Sequence, residues 1–531
     1  DPPANSPLAP AAERLGEIVP WFINNALIHY LSPRGLEQYS GGGWGTRDVS
    51  QGPVEMLLSL GRFEPVRDIL LRLFKQQNTD GDWPQWFMFF DRERGIRPGD
   101  SHGDIVYWPV LALAQYLLAT EDAGLLDEKI PFFHPEGDQK AEQASLWQHV
   151  EWALAVMQER VISGTNLAAY GNGDWNDSLQ PVQPGMRQHL CSAWTVTLNY
   201  QTLMTLAAAL SRLGRNDRAA AFESAASAIL DSFQSILIVD DTITGFAYFR
   251  DGSRIEYLLH PRDKETGLSY SLLPMIHAVI NGMLSVQQAD FHLDIIKKHL
   301  LGPDGAHLFD RPIQYHGGPQ TYFQRAESTT FFGRENGLMY THAHLRYAEA
   351  LAHFGDAEGF FKALCMANPI AISDLVPPAT LRQANCYYSS SDPAFADRYE
   401  AYEQYEKVKR GEAPLDGGWR VYSSGAGICV RLIIQNFLGL RWETARLVID
   451  PVMPKALDGL RVGLQLAGKQ FDITYRIEKT GWGPTGVNLN GADLPFTRAA
   501  NPYRTGAAHI DMAAVRERLT GTANRITVLL G

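Results

Sequence analysis

The sequence of 531 residues has few cysteines, no long apolar run and no cluster of basic residues, and each absence excludes a class of protein. Its four cysteines are far apart and form no Cys-x-x-Cys pair, which argues against a disulfide framework or a zinc site and predicts reduced, mostly buried thiols. Because no stretch of eighteen apolar residues occurs, no membrane-spanning segment is predicted. A formal net charge of −12 without Lys/Arg runs makes nucleic acid an unexpected partner. A cytoplasmic protein is therefore expected.

The rest of the composition is that of a globular protein. Hydrophobic residues make up 45% and charged residues 20% of the chain. The length favours roughly two to four domains. Aromatic residues reach 11%, which favours a carbohydrate-facing cleft, although large cores also use aromatic residues. Residues 1–7 read like an interdomain linker, so the chain is expected to be part of a longer protein.

Residues 11 to about 365 have the period of helices, with apolar residues three and four positions apart. The segments with this pattern are 53–75, 104–121, 144–162, 194–214, 217–237, 268–287 and 339–354, and a last helix is predicted at 426–439. The long loops between them, rich in Gly, Trp, Asp, Arg and His, are 40–52, 78–104, 169–190 and 304–337. Helix pairs joined alternately by short turns and long polar loops predict a closed toroid of helical hairpins, with the long loops on one face. Residues 368–420 form an excursion rich in Pro, Ser and Tyr.

After Leu440 the pattern changes to period two, which predicts strands. The predicted strands are 443–449, 460–466, 470–478 and 486–490, and Asn490-Gly491 is a turn signal. A small antiparallel β-domain is therefore expected to follow the helical region.

The most informative loop is 173–179, Gly-Asp-Trp-Asn-Asp-Ser-Leu. Glycine and asparagine favour a turn that presents the neighbouring side chains. Trp175 offers a flat apolar surface for a sugar ring, and Asp177 lies two residues later, within reach of a glycosidic oxygen. A carboxyl beside an indole is partly desolvated, which raises its pKa and suits a general acid in glycoside cleavage. The alternative is a surface Asx-turn whose carboxylates cap the following helix.

Two earlier loops also contain charged side chains. In the first, Arg47 beside Asp48 provides a forked donor and an acceptor, which suits sugar hydroxyls, and the alternative is a local ion pair that closes a turn. In the second, carboxylates within 78–104 lie near His102. Their spacing does not match an EF-hand, and no metal site is predicted.

Two further segments precede helices. Glu335 is a candidate for binding sugar hydroxyls and His342 for binding an anion, whereas the spacing of His342 and His344 does not support a zinc site on a helix. Ser424 and Gly425 precede an apolar helix, where free N–H groups and the helix dipole favour an anion such as phosphate. A capped or core histidine and a plain N-cap are the alternatives.

Together these segments resemble the phosphorylases of glycoside hydrolase family 94. The resemblance covers most of the chain and rests on several motifs in the right order. These are Trp-Gly-Thr-Arg-Asp at 44–48, Gly-Asp-Trp-Asn-Asp at 173–177, Gly-Arg-Glu-Asn-Gly…Tyr-Thr-His-Ala at 333–343, Ser-Gly at 424–425 and Ile-Asp-Pro-Val-Met-Pro at 449–454. Segments 81–88, 99–104 and 387–392 are most similar to the family members that act on β-1,2-linked glucans.

The resemblance implies a multidomain, mainly α fold, in which an (α/α)6 barrel is followed by a small C-terminal antiparallel β-sandwich. The implied boundaries are a linker-like segment at 1–14, a catalytic barrel at 15–439 and a β-domain at 440–531. Family members usually have a large N-terminal β-sandwich as well. Since this sequence begins at about the linker, a homodimer or a partner that supplies that domain is expected.

The family pattern assigns a role to each candidate residue. Asp177 matches the general acid, and Trp175 matches the residue that shapes the donor subsite. Arg47 and Asp48 match donor-sugar contacts, Glu335 a sugar-binding carboxylate, and His342, Ser424 and Gly425 the phosphate site. Related enzymes often have Thr-Gly where Ser424-Gly425 stands. Some have Gln-Asp where Gln51 is followed by Gly52, so one donor contact is lost or supplied elsewhere.

The implied activity is reversible, inverting phosphorolysis of β-1,2-glucooligosaccharides to α-D-glucose 1-phosphate and a shortened chain. Inorganic phosphate is the co-substrate, and neither a metal nor an organic cofactor is expected. The expected partners are oligosaccharide and phosphate, and neither nucleic acid nor a membrane is an expected partner. One alternative is an inverting hydrolase, which needs a base carboxylate about 6.5–9.5 Å from the acid. The candidates for that base are Asp174, Glu335 and Asp104. The other alternative is a non-catalytic glucan-binding module of a larger glucan-synthesising protein.

Overall fold

A computed structural model describes residues 1–31, 43–250, 254–315, 317–328, 335–422, 424–466, 468–521 and 523–531. Some residues of the predicted segments lie outside the described residues. They include Gly41 and Gly42 of the loop 40–52, Gly333 and Arg334 of the motif at 333–343, and Ser423, the residue before Ser424-Gly425. Every residue to which the sequence assigns a role lies within the described ranges.

Helices dominate the first part of the chain, as the period of the sequence predicts. The described α-helices are α1 (Ala9–Ala26), α2 (Thr46–Val49), α3 (Gly52–Ser59), α4 (Phe63–Phe74), α5 (Tyr107–Thr120), α6 (Leu146–Glu159), α7 (Met186–His189), α8 (Ala193–Arg212), α9 (Asn216–Ser232), α10 (Leu272–Ile280), α11 (Val286–Ile295), α12 (Gln324–Ser328), α13 (Thr341–Phe354), α14 (Ala357–Met366), α15 (Ile372–Leu375), α16 (Arg398–Glu403), α17 (Tyr405–Lys409), α18 (Gly425–Leu432) and α19 (Met512–Arg518). Short strand pairs lie among them and longer strands follow them.

The strands within the helical region are β1 (Gly43–Gly45), β2 (Trp86–Met88), β3 (Lys129–Pro131), β4 (Gln143–Ser145), β5 (Leu190–Ser192), β6 (Ile238–Val239), β7 (Thr242–Ile243), β8 (Phe246–Arg250), β9 (Arg254–Leu258), β10 (Leu301–Gly302) and β11 (Gly305–Ala306). Those of the C-terminal region are β12 (Leu440–Trp442), β13 (Arg446–Ile449), β14 (Arg461–Leu466), β15 (Lys469–Ile477), β16 (Pro484–Leu489), β17 (Ala492–Asp493), β18 (Thr497–Arg498), β19 (Ala508–Asp511) and β20 (Asn524–Leu530). The chain is therefore mainly helical, with its larger sheets at the C-terminal end.

The helices form two layers. Those of the inner layer are α3, α5, α8, α10, α13 and α18; each packs on the next in this order, and α18 packs on α3. Their partners in the outer layer are α4, α6, α9, α11, α14 and α1, in the same order. Inner helix α5 is buried nearly all round, whereas outer helix α4 buries a single apolar stripe, which is the burial expected of the two layers. Because the chain alternates between layers, the inner helices begin at a common end.

Two predicted helices are wrong in their extent. The segment 53–75 is divided into α3 and α4 at Gly61, and 268–287 is divided into α10 and α11 at Gly282. Both glycines have positive φ angles, 66° and 65°, which end a helix. The apolar period continues across each turn and conceals it. The other predicted helices are confirmed to within a few residues, although 217–237 and 426–439 end in π-turns.

The C-terminal region contains two sheets, with strand orders β12-β13-β19-β18 and β14-β15-β20-β16-β17. The predicted Asn490-Gly491 turn is confirmed between β16 and β17, where both residues have positive φ angles. The prediction of a purely antiparallel domain is wrong, because β15 and β20 pair in parallel. Period two sets which face of a strand is buried, but it does not set the direction of its neighbour.

The cysteines are unpaired, and all except the half-buried Cys365 are buried, so the predicted thiols are confirmed. Within the described ranges, none of the helices combines the length and apolarity that crossing a membrane requires.

Candidate active site

The long loops meet at the N-terminal ends of the inner helices. The segment before α3 contacts the segment before α5 through Arg47 and Asp104, whose Nη1 and Oδ2 atoms are 3.3 Å apart. The segment before α8 joins them, because Arg47 Nη2 lies 3.3 Å from Asp177 Oδ1. The start of α13 contacts the same loop, since the ring of His342 lies 5.0 Å from that of Trp175. Helix dipoles place partial positive charge at this end, which favours an anion.

The loop 173–179, here called the acid loop, is anchored from inside by Asp174. Asp174 is only 2% exposed, and its carboxylate accepts hydrogen bonds from Ser192 Oγ at 2.6 Å and from the Asn176 N–H at 3.0 Å. Burial and the nearby carboxylate of Asp104 raise the pKa of Asp174 to about 7, although both donors oppose the shift. Asp174 therefore holds the loop in place and does not face the cleft.

Asn176 forms the turn of the acid loop. Its Oδ1 accepts a hydrogen bond from the N–H of Ser178 at 3.0 Å, which is the geometry of an Asx-turn. Its Nδ2 donates to the backbone carbonyl of Glu335 at 3.2 Å, so the acid loop is tied to the segment of the predicted sugar-binding carboxylate. The predicted Asx-turn is thus centred on the asparagine, and Asp177 is presented with its side chain 37% exposed.

Three basic groups surround the Asp177 carboxylate. Besides Arg47 at Oδ1, His102 Nδ1 lies 3.5 Å from Oδ1 and Arg325 Nη1 lies 4.0 Å from Oδ2. The sequence predicts a carboxyl desolvated by the adjacent indole, but the ring of Trp175 packs instead on Tyr340 and His342. The Asp177 carboxyl therefore lies among basic side chains and not against the indole.

Arg47 is the electrostatic centre of the site. Burial opposes its charge, but the carboxylates of Asp104 and Asp177 outweigh that effect, and the pKa of the guanidinium is raised. Asp104 is fully buried and also accepts a hydrogen bond from Trp108 Nε1 at 2.9 Å, so it holds the guanidinium in place. Arg47 therefore spans two loops. The alternative of an Arg47–Asp48 pair that merely closes a turn does not account for these contacts.

Asp48 is half-buried. Burial lowers the pKa of His29 to about 4, and the negative charge of Asp48 works against that shift, which places the two side chains near each other.

His342 begins the first turn of α13 and is buried beside Trp175. Burial, followed by the charge of Arg346 one turn later, lowers its pKa well below the usual value. A neutral imidazole can meet an anion only as a hydrogen-bond donor, not as a cation. His344 has a structural role, because its Nδ1 accepts from the Ala306 N–H at 3.0 Å and its Nε2 donates to a backbone carbonyl.

Ser424 and Gly425 form the start of α18, packed against the start of α3. A Cβ atom on Gly52 would lie 2.5 Å from the carbonyl oxygen of Ser424, so only glycine allows this approach. Gln51, the residue before Gly52, donates its Nε2–H to the backbone carbonyl of Arg47 at 3.2 Å. Ser424 Oγ is buried and has no hydrogen-bond partner among the described residues.

Replacing Gly52 with Ala should move the Ser424-Gly425 turn. The added methyl group would overlap the Ser424 carbonyl, and such overpacking typically costs about 1–3 kcal/mol. We expect a lower thermal midpoint together with weaker binding of phosphate, measured by calorimetry and by titration with inorganic phosphate. Gly16→Ala is the matched control, because nothing lies within 4 Å of a Cβ there. Equal stability and equal phosphate affinity in both variants would contradict the close packing.

Two of the three candidate bases for a hydrolase are poorly placed. Asp174 and Asp104 are buried and hydrogen-bonded within the protein, so neither faces a water in the cleft. Glu335 is buried as well, but its segment borders the acid loop. The described residues contain no cluster of His, Cys, Asp and Glu fit to hold a metal ion.

His102 and Arg325 are site residues to which the sequence assigned no role. The only indication of His102 in the sequence was its position in the loop 78–104, which was noted for its carboxylates. Arg325 lies on the short helix α12, and nothing in the sequence indicated that it belongs to the site.

Comparison with known proteins identifies the family of the chain. Residues 26–394 match the glycosyl hydrolase 94 superfamily catalytic domain, and residues 439–527 match a glycoside phosphorylase C-terminal domain. The chain belongs to the glycosyl hydrolase 94 superfamily. The resemblance inferred from the motifs is thereby confirmed.

Three curated relatives extend the comparison. The chain is 42% identical over 520 residues to the 1,2-beta-oligoglucan phosphorylase of Listeria innocua, covering 97% of this chain and 46% of that protein. It is 24% identical to the cyclic beta-(1,2)-glucan synthase NdvB of Rhizobium meliloti, covering 88% of this chain and 16% of that protein. It is 23% identical to a cellobionic acid phosphorylase of Neurospora crassa, covering 78% of this chain and 48% of that protein. The glycosyl hydrolase 94 chain thus spans less than half the length of each of these relatives.

Proposed function

We propose that this chain catalyses inverting phosphorolysis of β-1,2-linked glucooligosaccharides, releasing α-D-glucose 1-phosphate. The observation that carries the proposal is that the sequence-assigned acid, Asp177, lies in one site with Arg47, Trp175 and His342, at the N-terminal ends of the inner helices. The identity with the Listeria innocua phosphorylase supports the choice of substrate and linkage.

The barrel expected from the sequence is part of the proposal. The cyclic packing of α3, α5, α8, α10, α13 and α18 inside six outer partners supports an (α/α)6 barrel. In such a barrel the N-termini of all inner helices point into one end, and their dipoles favour a bound anion there.

We assign the roles of the site residues from the family motifs, and their positions in the site support the assignment. Trp175 and Glu335 border the donor sugar, with Arg47 and Asp48 as polar contacts to its hydroxyls. The phosphate site comprises the neutral imidazole of His342, the hydroxyl of Ser424 and the backbone of Gly425 at the start of α18. Neutral donors and a helix N-terminus bind phosphate through hydrogen bonds.

The reaction needs one acid and no second carboxylate. A phosphate oxygen forms a bond to the anomeric carbon from the α face while the glycosidic C–O bond breaks. The departing oxygen takes the bonding electron pair and the proton of Asp177. Asp177 is then a carboxylate, and it regains a proton before the next turnover. Phosphate is already an anionic nucleophile, so the burial of Asp174 and Asp104 is compatible with phosphorolysis and unfavourable for water activation. No metal or organic cofactor is needed for these steps.

Two adjoining grooves are assigned to the acceptor part of the glucan, because one of them is lined by His102, which contacts Asp177. The nearer groove, of about 270 Å³, is lined by residues that include Trp86, His102 and Gln180. The farther groove, of about 1240 Å³, is lined by residues that include Tyr248 and Phe249. Both share Ser101, Asn172 and Arg187. Aromatic faces beside polar side chains are suited to sugar rings and their hydroxyls.

The test is to incubate the protein with β-1,2-, β-1,3- and β-1,4-glucooligosaccharides, with and without phosphate, and to assay glucose 1-phosphate and glucose separately. We expect α-glucose 1-phosphate only from the β-1,2-linked substrate and only with phosphate. Free glucose in phosphate-free buffer would assign a hydrolase instead. Binding of the glucan without any turnover would assign a non-catalytic module.

A further inference from the structure

A cavity of about 230 Å³ lies among the inner helices and takes no part in the proposed reaction. All six inner helices contribute residues to its wall, and β12 contributes Arg441 and Trp442. None of the residues assigned to the acid, the donor sugar or the phosphate lines it. The cavity is therefore a candidate for a second binding site within the described part of the chain.

The cavity opens away from the candidate active site. In α5 the lining residues Trp108 and Leu111 are buried, whereas Gln115 and Ala119, one and two turns further along, are half-buried. Helices α3 and α10 show the same change from buried to half-buried lining residues towards their C-termini. Since the candidate active site lies at the N-terminal ends of these helices, a ligand can reach the cavity from the other end.

The charges in the wall are balanced within the protein. Of the described residues, three arginines and three glutamates line the cavity, namely Arg346, Arg431, Arg441, Glu55, Glu349 and Glu443. Salt bridges pair each of these carboxylates with an arginine. Burial lowers the pKa of the lining residue His277 to about 3, so its imidazole is neutral at physiological pH. A wall without excess charge favours a neutral ligand.

The wall offers hydrogen bonds to such a ligand. The side-chain amides of Gln115, Gln201 and Gln435 line the cavity, and an amide provides both a donor and an acceptor whichever way it is turned. His277 is only 7% exposed, and its Nδ1 is buried without a hydrogen-bond partner among the described residues. In native proteins, a buried polar atom of this kind is normally satisfied by a bound molecule.

Apolar surface accompanies these polar groups. Trp108 and Trp442 contribute aromatic surface to the wall, and Leu58, Leu111 and Ile280 contribute aliphatic surface. Water forms no hydrogen bonds with such surfaces, whereas a sugar presents hydroxyls at its edge and C–H groups on its faces. The volume is below the range of about 300–1,000 Å³ typical of sites for drug-sized ligands, which indicates a ligand as small as one monosaccharide.

We propose that this cavity binds a neutral monosaccharide of the glucose type, held by the three amides and His277 against the indoles of Trp108 and Trp442. The site is separate from the active site, because the two share none of the residues assigned to the reaction. The proposal therefore holds whichever reaction the active site catalyses.

The test uses glucose as the probe and saturation-transfer NMR as the readout. Asp177→Asn is the background, with saturating β-1,2-glucooligosaccharide and no phosphate, so that the active site is occupied and the oligosaccharide is not consumed. We expect glucose still to bind, and we expect Gln201→Leu to weaken that binding by about 3- to 10-fold, the effect of one lost hydrogen bond. Ala119→Trp should abolish glucose binding by filling the opening.

Gln287→Leu is the matched control, because Gln287 is exposed on α11 and does not line the cavity. Loss of the glucose signal when oligosaccharide is added, or equal binding by Gln201→Leu and the control, would overturn the proposal. The absence of any glucose signal would also overturn it and would assign a cavity filled with water. Displacement of glucose by inorganic phosphate would assign an anion site instead. Thermal midpoints identify a variant that fails to fold, and Gln201→Leu and Ala119→Trp test the cavity independently.

The proposed function is judged separately. With Asp177 intact, Gln201→Leu should leave kcat and KM for phosphorolysis unchanged, because Gln201 lines the cavity and not the acceptor grooves. If the wild-type protein releases no glucose 1-phosphate, phosphorolysis is wrong, and binding of glucose to the cavity is still decided by the NMR comparison.

Discussion

Asp177→Asn should reduce the kcat of phosphorolysis by about 10²–10⁴-fold, the range that a positioned proton donor contributes. The amide has the size of the carboxyl but cannot donate the proton that the departing oxygen needs. The fold should stay intact, because the Asp177 side chain is partly exposed and Arg47 keeps its contact with Asp104. The measurement is release of glucose 1-phosphate at saturating phosphate, together with the thermal midpoint.

Asp174→Asn is the matched control for this variant. It makes the same chemical change three residues earlier, but at a buried carboxylate that accepts hydrogen bonds from Ser192 and Thr195. In the variant, the N–H groups of the amide would face the hydroxyl donors of Ser192 and Thr195, and such an unsatisfied contact costs about 1–3 kcal/mol. We therefore expect loss of stability at Asp174 and loss of catalysis at Asp177. Phosphorolysis at the wild-type rate by Asp177→Asn, or equal destabilisation of both variants, would contradict the assignment of the acid.

This contrast shows what the sequence could and could not predict within one loop. The glycine, the asparagine and the indole identify the acid loop, and the family motif selects Asp177. The anchoring role of Asp174 was not predictable, because it depends on Ser192 and Thr195 at the start of α8, which only the tertiary fold brings close. Two aspartates in one turn have opposite environments, and local pattern does not separate them.

The wider site was predictable to the extent that loops before neighbouring helices must meet. Arg47, Trp175 and His342 come from three different loops, and all three precede or begin inner helices. His102 was noted without a role, because its contact with Asp177 exists only in the tertiary fold. The partnership of Arg47 with Asp104 was likewise invisible, since the sequence offered the adjacent Asp48 as the obvious partner.

In the fold, as in the site, local features were predictable from the sequence and features that depend on distant residues were not. Apolar period predicted the helices and the change to strands near residue 440, because burial of one face is a local property of the sequence. It missed the helix breaks at Gly61 and Gly282 and the parallel pairing of β15 with β20. Those features depend on the turn that a glycine adopts and on which strand becomes a neighbour.

The largest expected effect on stability comes from four buried charges shared by α3, α13 and α18. Arg346 of α13 donates to Glu55 of α3 and to Glu349 of its own helix, at 2.5 and 2.8 Å. Arg431 of α18 donates to the same two carboxylates, at 2.9 and 2.6 Å. The cluster therefore joins three inner helices, one turn from His342.

Arg346→Met should destabilise the protein by about 3–5 kcal/mol, because removing one partner leaves buried carboxylates without compensation. The matched control is Arg410→Met, which removes the arginine of an exposed pair with Glu412 and should leave the thermal midpoint near that of wild type. Chemical denaturation measures the free energy of unfolding of each variant.

The effect of Arg346→Met should also depend on pH in a defined direction. Burial opposes the charge of Glu349, but Arg431 and Arg346 outweigh it and lower the pKa of that carboxyl in the folded protein. The stability that follows from a lowered pKa is present above the unfolded-state value of about 4.3 and is lost as the pH falls toward the folded-state value. The difference between wild type and Arg346→Met should therefore be constant near neutral pH and shrink on acidification. A difference that grows in acid, or a variant as stable as Arg410→Met at pH 7, would contradict the coupling of these four charges.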